Sequence, residues 1–245
     1  MGADSDYTRR PSEPQERPRL MRSIDAVLLD IEGTMSSQSY VVTTLFPFSR
    51  ARLAEFVRAH AADAAVQAVL AETRALAAPG EDPVAALLRW IDEDRKLGPL
   101  KTIQGMIWDE GYASGQLFGQ IFPDALAALQ RWRQMGLPAH IFSSGSVRAQ
   151  VQFYRHCREG DLRPLFGRNF DLAIGPKTEP DSYHRIAAEL ALAPSRLRFF
   201  SDNPRELAAA EAAGVQVVQV IREDTKPDPR FVQVHSFEEP AVWGE

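Results

Sequence analysis

Two carboxylates, Asp30 and Glu32, stand two residues apart directly after the apolar run Ala26–Leu29, with Gly33 and Thr34 behind them. Three more polar groups follow apolar runs further along. Ser143 and Ser144 close PAHIF, Lys177 comes just after DLAI and a Gly-Pro pair, and Asp202 closes LRFFS. Together these types suit phosphoryl transfer, which needs a nucleophile, a proton donor for the leaving oxygen, a metal and charge neutralisation on the equatorial oxygens. On this reading Asp30 attacks phosphorus to give an aspartyl-phosphate, and Glu32 protonates the departing oxygen and later activates water. Ser143 or Ser144 binds phosphoryl oxygens, helped by backbone N–H groups at the next helix start. Lys177 pairs with Asp30 and balances phosphate charge. Asp202 completes an oxygen-ligand site for Mg²⁺, with Glu206 one helical turn on as a support for the metal shell.

Taken singly, each signal is weak: an aspartate after a strand is commonly a turn residue, and Ser-Ser-Gly-Ser a loop and helix cap. Their joint occurrence after successive strands is what points to one site. The elements that must bring them together are legible. Ala26–Leu29 is short and wholly apolar, as a strand buried on both faces is. Residues 46–118 read as helices throughout, including Pro47 in a first turn and Asp82 as an N-cap before Pro83. From residue 123 helices alternate with short strands at PAHIFSS, DLAI, LRFFSD and VQVVQV. Such alternation implies βαβ units and right-handed crossovers.

The expected fold is therefore an α/β, doubly wound, mostly parallel sheet interrupted after its first strand by an inserted helical cap. Residues 22–36 and 119–245 form the core, 37–118 the cap, and 1–21, polar and proline-containing, a disordered N-terminal tail. Strand ends in such sheets are where ligands bind.

Composition narrows the function classes. The 245 residues carry a net charge of −5 without a basic block, which argues against nucleic acid as a partner. No apolar run approaches the length of a membrane span. Arg9 and Arg10 lack the apolar stretch that an export signal needs. The single cysteine, Cys157, excludes an internal disulfide and fits a reducing cytoplasm. The five histidines show no metal-ligand spacing. Trp108 and Tyr112, one turn apart, read first as core packing and second as the closing face of the insert.

The motifs DIEGT, LFPFSRARL, LKTIQGMIWDEGYASGQL, FPDALAALQRW, IFSSGSVRAQ, FDLAIGPKTEPDSY and FFSDNPRELAAAEAAG resemble the enolase-phosphatase family of methionine salvage, a branch of the haloacid-dehalogenase-type phosphatases. The similarity covers roughly residues 24–222. It implies a bifunctional, Mg²⁺-dependent, cytoplasmic and monomeric enzyme. Its substrate would be 2,3-diketo-5-methylthiopentyl-1-phosphate, first enolised, then dephosphorylated to an acireductone. Carried over by position, Asp30, Glu32 and Asp202 match metal-binding carboxylates, and Ser143, Ser144 and Lys177 match substrate contacts. Met35, the polar stretch 38–44 and Asn203 depart from the family pattern. The first two bear on substrate fit, and Asn203 brings an extra amide toward the metal. A general small-molecule phosphomonoesterase using the same residues is the alternative.

Overall fold

The computed structural model describes residues 24–223 and 225–243; the expected N-terminal tail, 1–21, lies outside the described residues. Six parallel strands form one sheet in the order β3-β2-β1-β4-β5-β6. These are β1 Ala26–Leu29, β2 Ala139–Phe142, β3 Asn169–Phe170, β4 Leu197–Ser201, β5 Gln216–Val220 and β6 Gln233–Val234. The first strand explains why so short a run must be apolar throughout. Val27 and Leu29 pack into one core, while Ala26 and Leu28 pack into a second core on the other face. Side chains alternate across a strand, so a central strand covered on both sides has no polar position to spare.

Chain order reverses at β1. From β1 the sheet grows outward to β2 and β3 on one side, and to β4, β5 and β6 on the other. Loops leaving β1 and β4 part at this point and leave a crevice, the switch point where open α/β sheets bind ligands.

The chain between β1 and β2 is helical: α1 Gln38–Tyr40, a π-helical turn Val41–Leu45, α2 Phe46–Ala59, α3 Ala64–Leu76, α4 Pro83–Asp92, α5 Gly98–Ala113 and α6 Pro123–Gln134. Helices α2 to α5 enclose a third core built on Leu53, Val66, Leu70, Leu87, Trp90 and Ile103. Asp82 caps α4 as its spacing predicts, accepting from the N–H groups of Val84 and Ala85. The polar stretch from residue 38 is helical rather than extended, because Tyr40 and Leu45 are buried and fix one face of it. Helix α7 Val147–Arg155 follows β2, α8 Pro180–Glu189 follows β3, α9 Pro204–Ala212 follows β4, and α10 Pro240–Trp243 ends the described chain.

One strand expectation is corrected. DLAI does not form a strand; β3 lies just before it, at Asn169 and Phe170. Residues 171–175 turn instead, with Ile174 N–H on the Asp171 carbonyl and Gly175 N–H on that of Leu172. Asp171 is drawn into this turn because its carboxylate accepts from Val147 N–H at 2.9 Å and Ala173 N–H at 2.9 Å. Among the described residues no helix is long and apolar enough to cross a membrane.

Candidate active site

Asp30 is the first residue beyond β1, its N–H still on the Phe200 carbonyl of β4. The chain then folds back sharply. The N–H groups of Thr34, Met35 and Ser36 all converge on the Ile31 carbonyl, and Gly33 N–H returns to Ser36. Gly33 makes this loop possible in two ways. Its φ is +79°, and a Cβ there would stand 2.5 Å from Asp202 Oδ2. A glycine lets the β1 loop and the β4 loop approach this closely. Thr34 secures the approach by accepting Asp202 N–H at 3.0 Å through its hydroxyl. Met35 is fully buried in the core, so its departure from the family pattern is a matter of packing rather than of substrate fit.

Lys177 reaches Asp30 from the loop before α8. Its backbone carbonyl is fixed by the hydroxyl of buried Tyr183, at 2.7 Å. Its ammonium donates to Asp30 Oδ1 at 2.5 Å and lies 2.6 Å from Glu206 Oε2. Burial alone would lower the Lys177 pKa, but the flanking carboxylates of Asp30 and Glu206 outweigh it and hold the amine well above its ordinary value. Glu206 is itself clamped. Ser201 Oγ donates to it at 3.1 Å and Asn203 Nδ2 at 3.1 Å. Asn203 lines the same cavity as Asp202, where its amide holds Glu206 and its oxygen caps α9 by accepting Arg205 N–H. Glu206 serves the lysine here.

Asp30, Glu32, Ser144, Lys177, Asp202 and Glu206 line one cavity of about 360 Å³ at the switch point. Ser143 takes a different place. It is fully buried, and its hydroxyl donates to Glu32 Oε2 at 3.2 Å while accepting Gly145 N–H at 3.1 Å. Burial, then the charge of Asp30, push the Glu32 carboxyl up from its usual range. Asp202 is pushed up to about 7 by burial and by the charges of Asp30 and Glu206.

A second cavity of about 510 Å³ opens between the helical insert and the sheet. Its walls include Val41, Leu45, Phe46, Trp108, Tyr112 and Phe153. Trp108 and Tyr112 therefore face a chamber as well as a core. Trp108 is positioned by its indole N–H on the Leu45 carbonyl at 2.8 Å. The residues lining both cavities are Glu32, Gln38 and Ser144. Gln38 escapes a sequence reading because nothing local marks it; its amide donates to Asp202 Oδ2 at 2.7 Å across 164 residues.

Four carboxylates, Asp30, Glu32, Asp202 and Glu206, line the smaller cavity against two lysines, Lys177 and Lys226. Carboxylates in such excess are an all-oxygen donor set that fits a divalent cation. Among the described residues no three histidine, cysteine, aspartate or glutamate side chains close on one point. A cation here would therefore complete its shell with main-chain, water or substrate oxygen. Cys157 is buried, and burial pushes its thiol up to about 12, which leaves it unreactive.

A parallel sheet with acids at its switch point and a lysine between them defines a class, and comparisons agree with it. Residues 24–214 match the family model of haloacid dehalogenase-like hydrolases. The chain is 52% identical over 218 residues to the enolase-phosphatase E1 of Bradyrhizobium sp. (strain BTAi1), covering 89% of this chain and 94% of that one. It is 42% identical to the enolase-phosphatase E1 of Aquifex aeolicus, covering 88% and 98%. The crystal structure of the Saccharomyces cerevisiae UTR4 protein superposes with a TM-score of 0.76 at 30% identity, over 88% of this chain and 99% of that one. The chain belongs to the enolase-phosphatase E1 family of haloacid dehalogenase-like hydrolases, and it is a phosphoric monoester hydrolase acting as an enolase-phosphatase of methionine salvage. Enzymes of this kind are generally metal-dependent.

Proposed function

We propose that the chain converts 2,3-diketo-5-methylthiopentyl-1-phosphate to the acireductone 1,2-dihydroxy-3-keto-5-methylthiopentene. The observation that carries this is the pair of cavities meeting at Glu32. The smaller, charged one suits the phosphate and the larger, apolar one suits the methylthio tail. The carbon between ester oxygen and carbonyl then falls at their junction.

In the enolisation Glu32 takes the proton from that carbon. The C–H electrons form the C1–C2 double bond, and the carbonyl oxygen at C2 takes a proton from solvent water, with Ser144 and Gln38 beside it. Glu32 is thereby left protonated, as the next step requires. Asp30 attacks phosphorus, the bond from phosphorus to the ester oxygen breaks, and Glu32 gives its proton to the departing oxygen. Glu32 then takes a proton from water, whose oxygen attacks phosphorus, displaces Asp30 and frees phosphate; Glu32 returns that proton to solvent and is a base again. A carboxyl with a raised pKa suits both directions of transfer. Lys177 stays charged beside Asp30 throughout, and Ser143 orients Glu32.

Mg²⁺ is the cation we assign. Asp30 and Asp202 would hold it, with Glu32 from the same loop. The Glu32 carboxylate is tied to Ser143, so any share in the metal competes with that bond. The cation would screen negative charge between the phosphate and the carboxylates. Residues 37–118 act as the cap over the chamber, residues 22–36 and 119–245 as the core, and the enzyme works as a cytoplasmic monomer.

The test is a time course with the diketo phosphate. An enol absorbance should rise in a Mg²⁺-dependent way and decay as phosphate appears. Glu32→Gln should lose both phases. A variant that still enolises at the normal rate would remove Glu32 as the base. A preference below about tenfold over sugar phosphates would favour a general phosphomonoesterase.

A further inference from the structure

The motif SSGSVRAQ contains a glutamine that no step above uses. Gln150 lies on α7, is buried to 2% exposure, and spends its whole amide on the chain around it. Its Nε2 donates to the Gly145 carbonyl at 2.8 Å and to the Phe170 carbonyl at 2.9 Å. Its Oε1 accepts from Asn169 Nδ2 at 3.0 Å. A buried amide with every polar atom satisfied is fixed in orientation, and so are the groups it holds.

Both carbonyls matter to the loop between β2 and α7. Phe170 ends β3, a strand of only two residues at the sheet edge, and its carbonyl also accepts Ser143 N–H at 3.2 Å. Gln150 thus ties the serine loop to the last rung of a short ladder. The Gly145 carbonyl is turned inward onto the amide. In a planar trans peptide the N–H on the other side of the bond points the opposite way. That N–H belongs to Ser146, which lines the larger chamber; Ser144, just before Gly145, lines both that chamber and the smaller charged cavity. Among the described residues, neither Ser144 N–H nor Ser146 N–H has an acceptor within the chain.

We infer that Gln150 is a positioning residue: by gripping the Gly145 carbonyl and the Phe170 carbonyl that holds Ser143 N–H, it fixes the serine loop on both sides of Ser144, and so aims the Ser144 N–H at the phosphoryl oxygens. This rests on the proposed reading of that loop as a phosphoryl contact. Without the amide, the Gly145 peptide is free to rotate, and the donor is no longer organised before the anion arrives.

The probe is inorganic phosphate on the full chain with Mg²⁺, its dissociation constant measured by calorimetry and by the rise in melting temperature it produces. Gln150→Met keeps the length of the side chain and removes its hydrogen bonds. It should weaken phosphate about tenfold, the worth of roughly one hydrogen bond, and raise KM for the ester more than it lowers kcat. Asn169→Leu frees one end of the amide and should weaken phosphate about threefold, in the same direction but less. Gln150→Glu faces the two carbonyls with an oxygen and should bind phosphate no better than Gln150→Met. A purely structural glutamine would lower the melting temperature and leave phosphate affinity unchanged, and that result overturns the inference. If Gln150→Met does not fold, Asn169→Leu decides alone: wild-type affinity in that variant also overturns it. Wild-type protein that takes up no phosphate would instead sink the reading of the loop itself.

Discussion

The two cavities on either side of Glu32 are built by opposite means. The smaller one is walled by charge, and its geometry is held by short directional bonds: Lys177 to Asp30 and Glu206, Thr34 to Asp202, Asn203 to Glu206. The larger is walled by Val41, Leu45, Phe46, Trp108 and Phe153 from segments far apart in the chain. Few of its contacts are directional; Trp108 on the Leu45 carbonyl is one. Charged groups in a low-dielectric site gain or lose free energy steeply with distance, whereas apolar walls respond in proportion to area. The first region should therefore fail abruptly when altered and the second gradually.

The hardest blow falls on the nucleophile. Asp30→Asn should cut turnover by about 10⁴-fold or more, as removal of a covalent catalyst does, with the enol still forming in a stopped-flow trace. Loss of the enol phase as well would mean that the two cavities do not divide the work. Lys177→Met comes next. It leaves Asp30 and Glu206 buried and facing one another, and should cost about 3–5 kcal/mol of folding stability in a urea titration.

On the apolar side, Trp108→Ala should raise KM for the tailed substrate by roughly ten- to a hundredfold, from the lost aromatic area. The same variant should hydrolyse a tail-less phosphate ester at close to the wild-type rate. Equal losses on both esters would break the comparison.

A smaller effect concerns pH. Asp202 is pushed up to about 7, with burial the largest cause, and Glu32 and Glu206 are shifted upward too. Between the ordinary carboxylate range near about 4 and the folded value, the folded chain binds protons that the unfolded chain has lost. The unfolded state then binds fewer, so stability of the metal-free protein falls as pH rises through that window. Thermal melts in chelator should show this slope, and Mg²⁺ should flatten it.

The weakest expected effect lies at the mouth of the chamber. Asp109 on α5 and Arg148 on α7 form an ion pair across it; among the described residues it is the ion pair that joins helices α2–α5 to the rest. Arg148 is largely exposed, so its coupling to Asp109 should be about 0.5–1 kcal/mol. Either Asp109→Arg or Arg148→Glu alone should raise KM about two- to fivefold, and the double reversal should restore it.

Much of the charged region is legible in the chain's own pattern. Asp30, Lys177 and Asp202 each follow an apolar run, and a strand buried on both faces must release its first polar residue at the sheet edge. The serine pair is less legible. Ser143 and Ser144 are adjacent and both border the larger cavity, but only Ser144 reaches the smaller one, while buried Ser143 holds Glu32; nothing in the local sequence separates the two. The shift of β3 to Asn169 and Phe170 has no local signal, because DLAI has the better strand composition. Asp171 is pulled out of it by the N-terminus of α7, a tertiary partner 24 residues away. Trp108 reads as core because helical spacing marks a buried face without saying whether that face meets protein or space.

By itself the sequence determined the kinds of groups, their order, and the parallel sheet that carries them, since burial pattern and local spacing are written residue by residue. Only the tertiary structure decided that Lys177 bridges Asp30 and Glu206 and that Glu32 stands where two cavities meet. Those relations join residues up to 147 positions apart. They are fixed by which strands lie side by side, and no short stretch of chain encodes that choice.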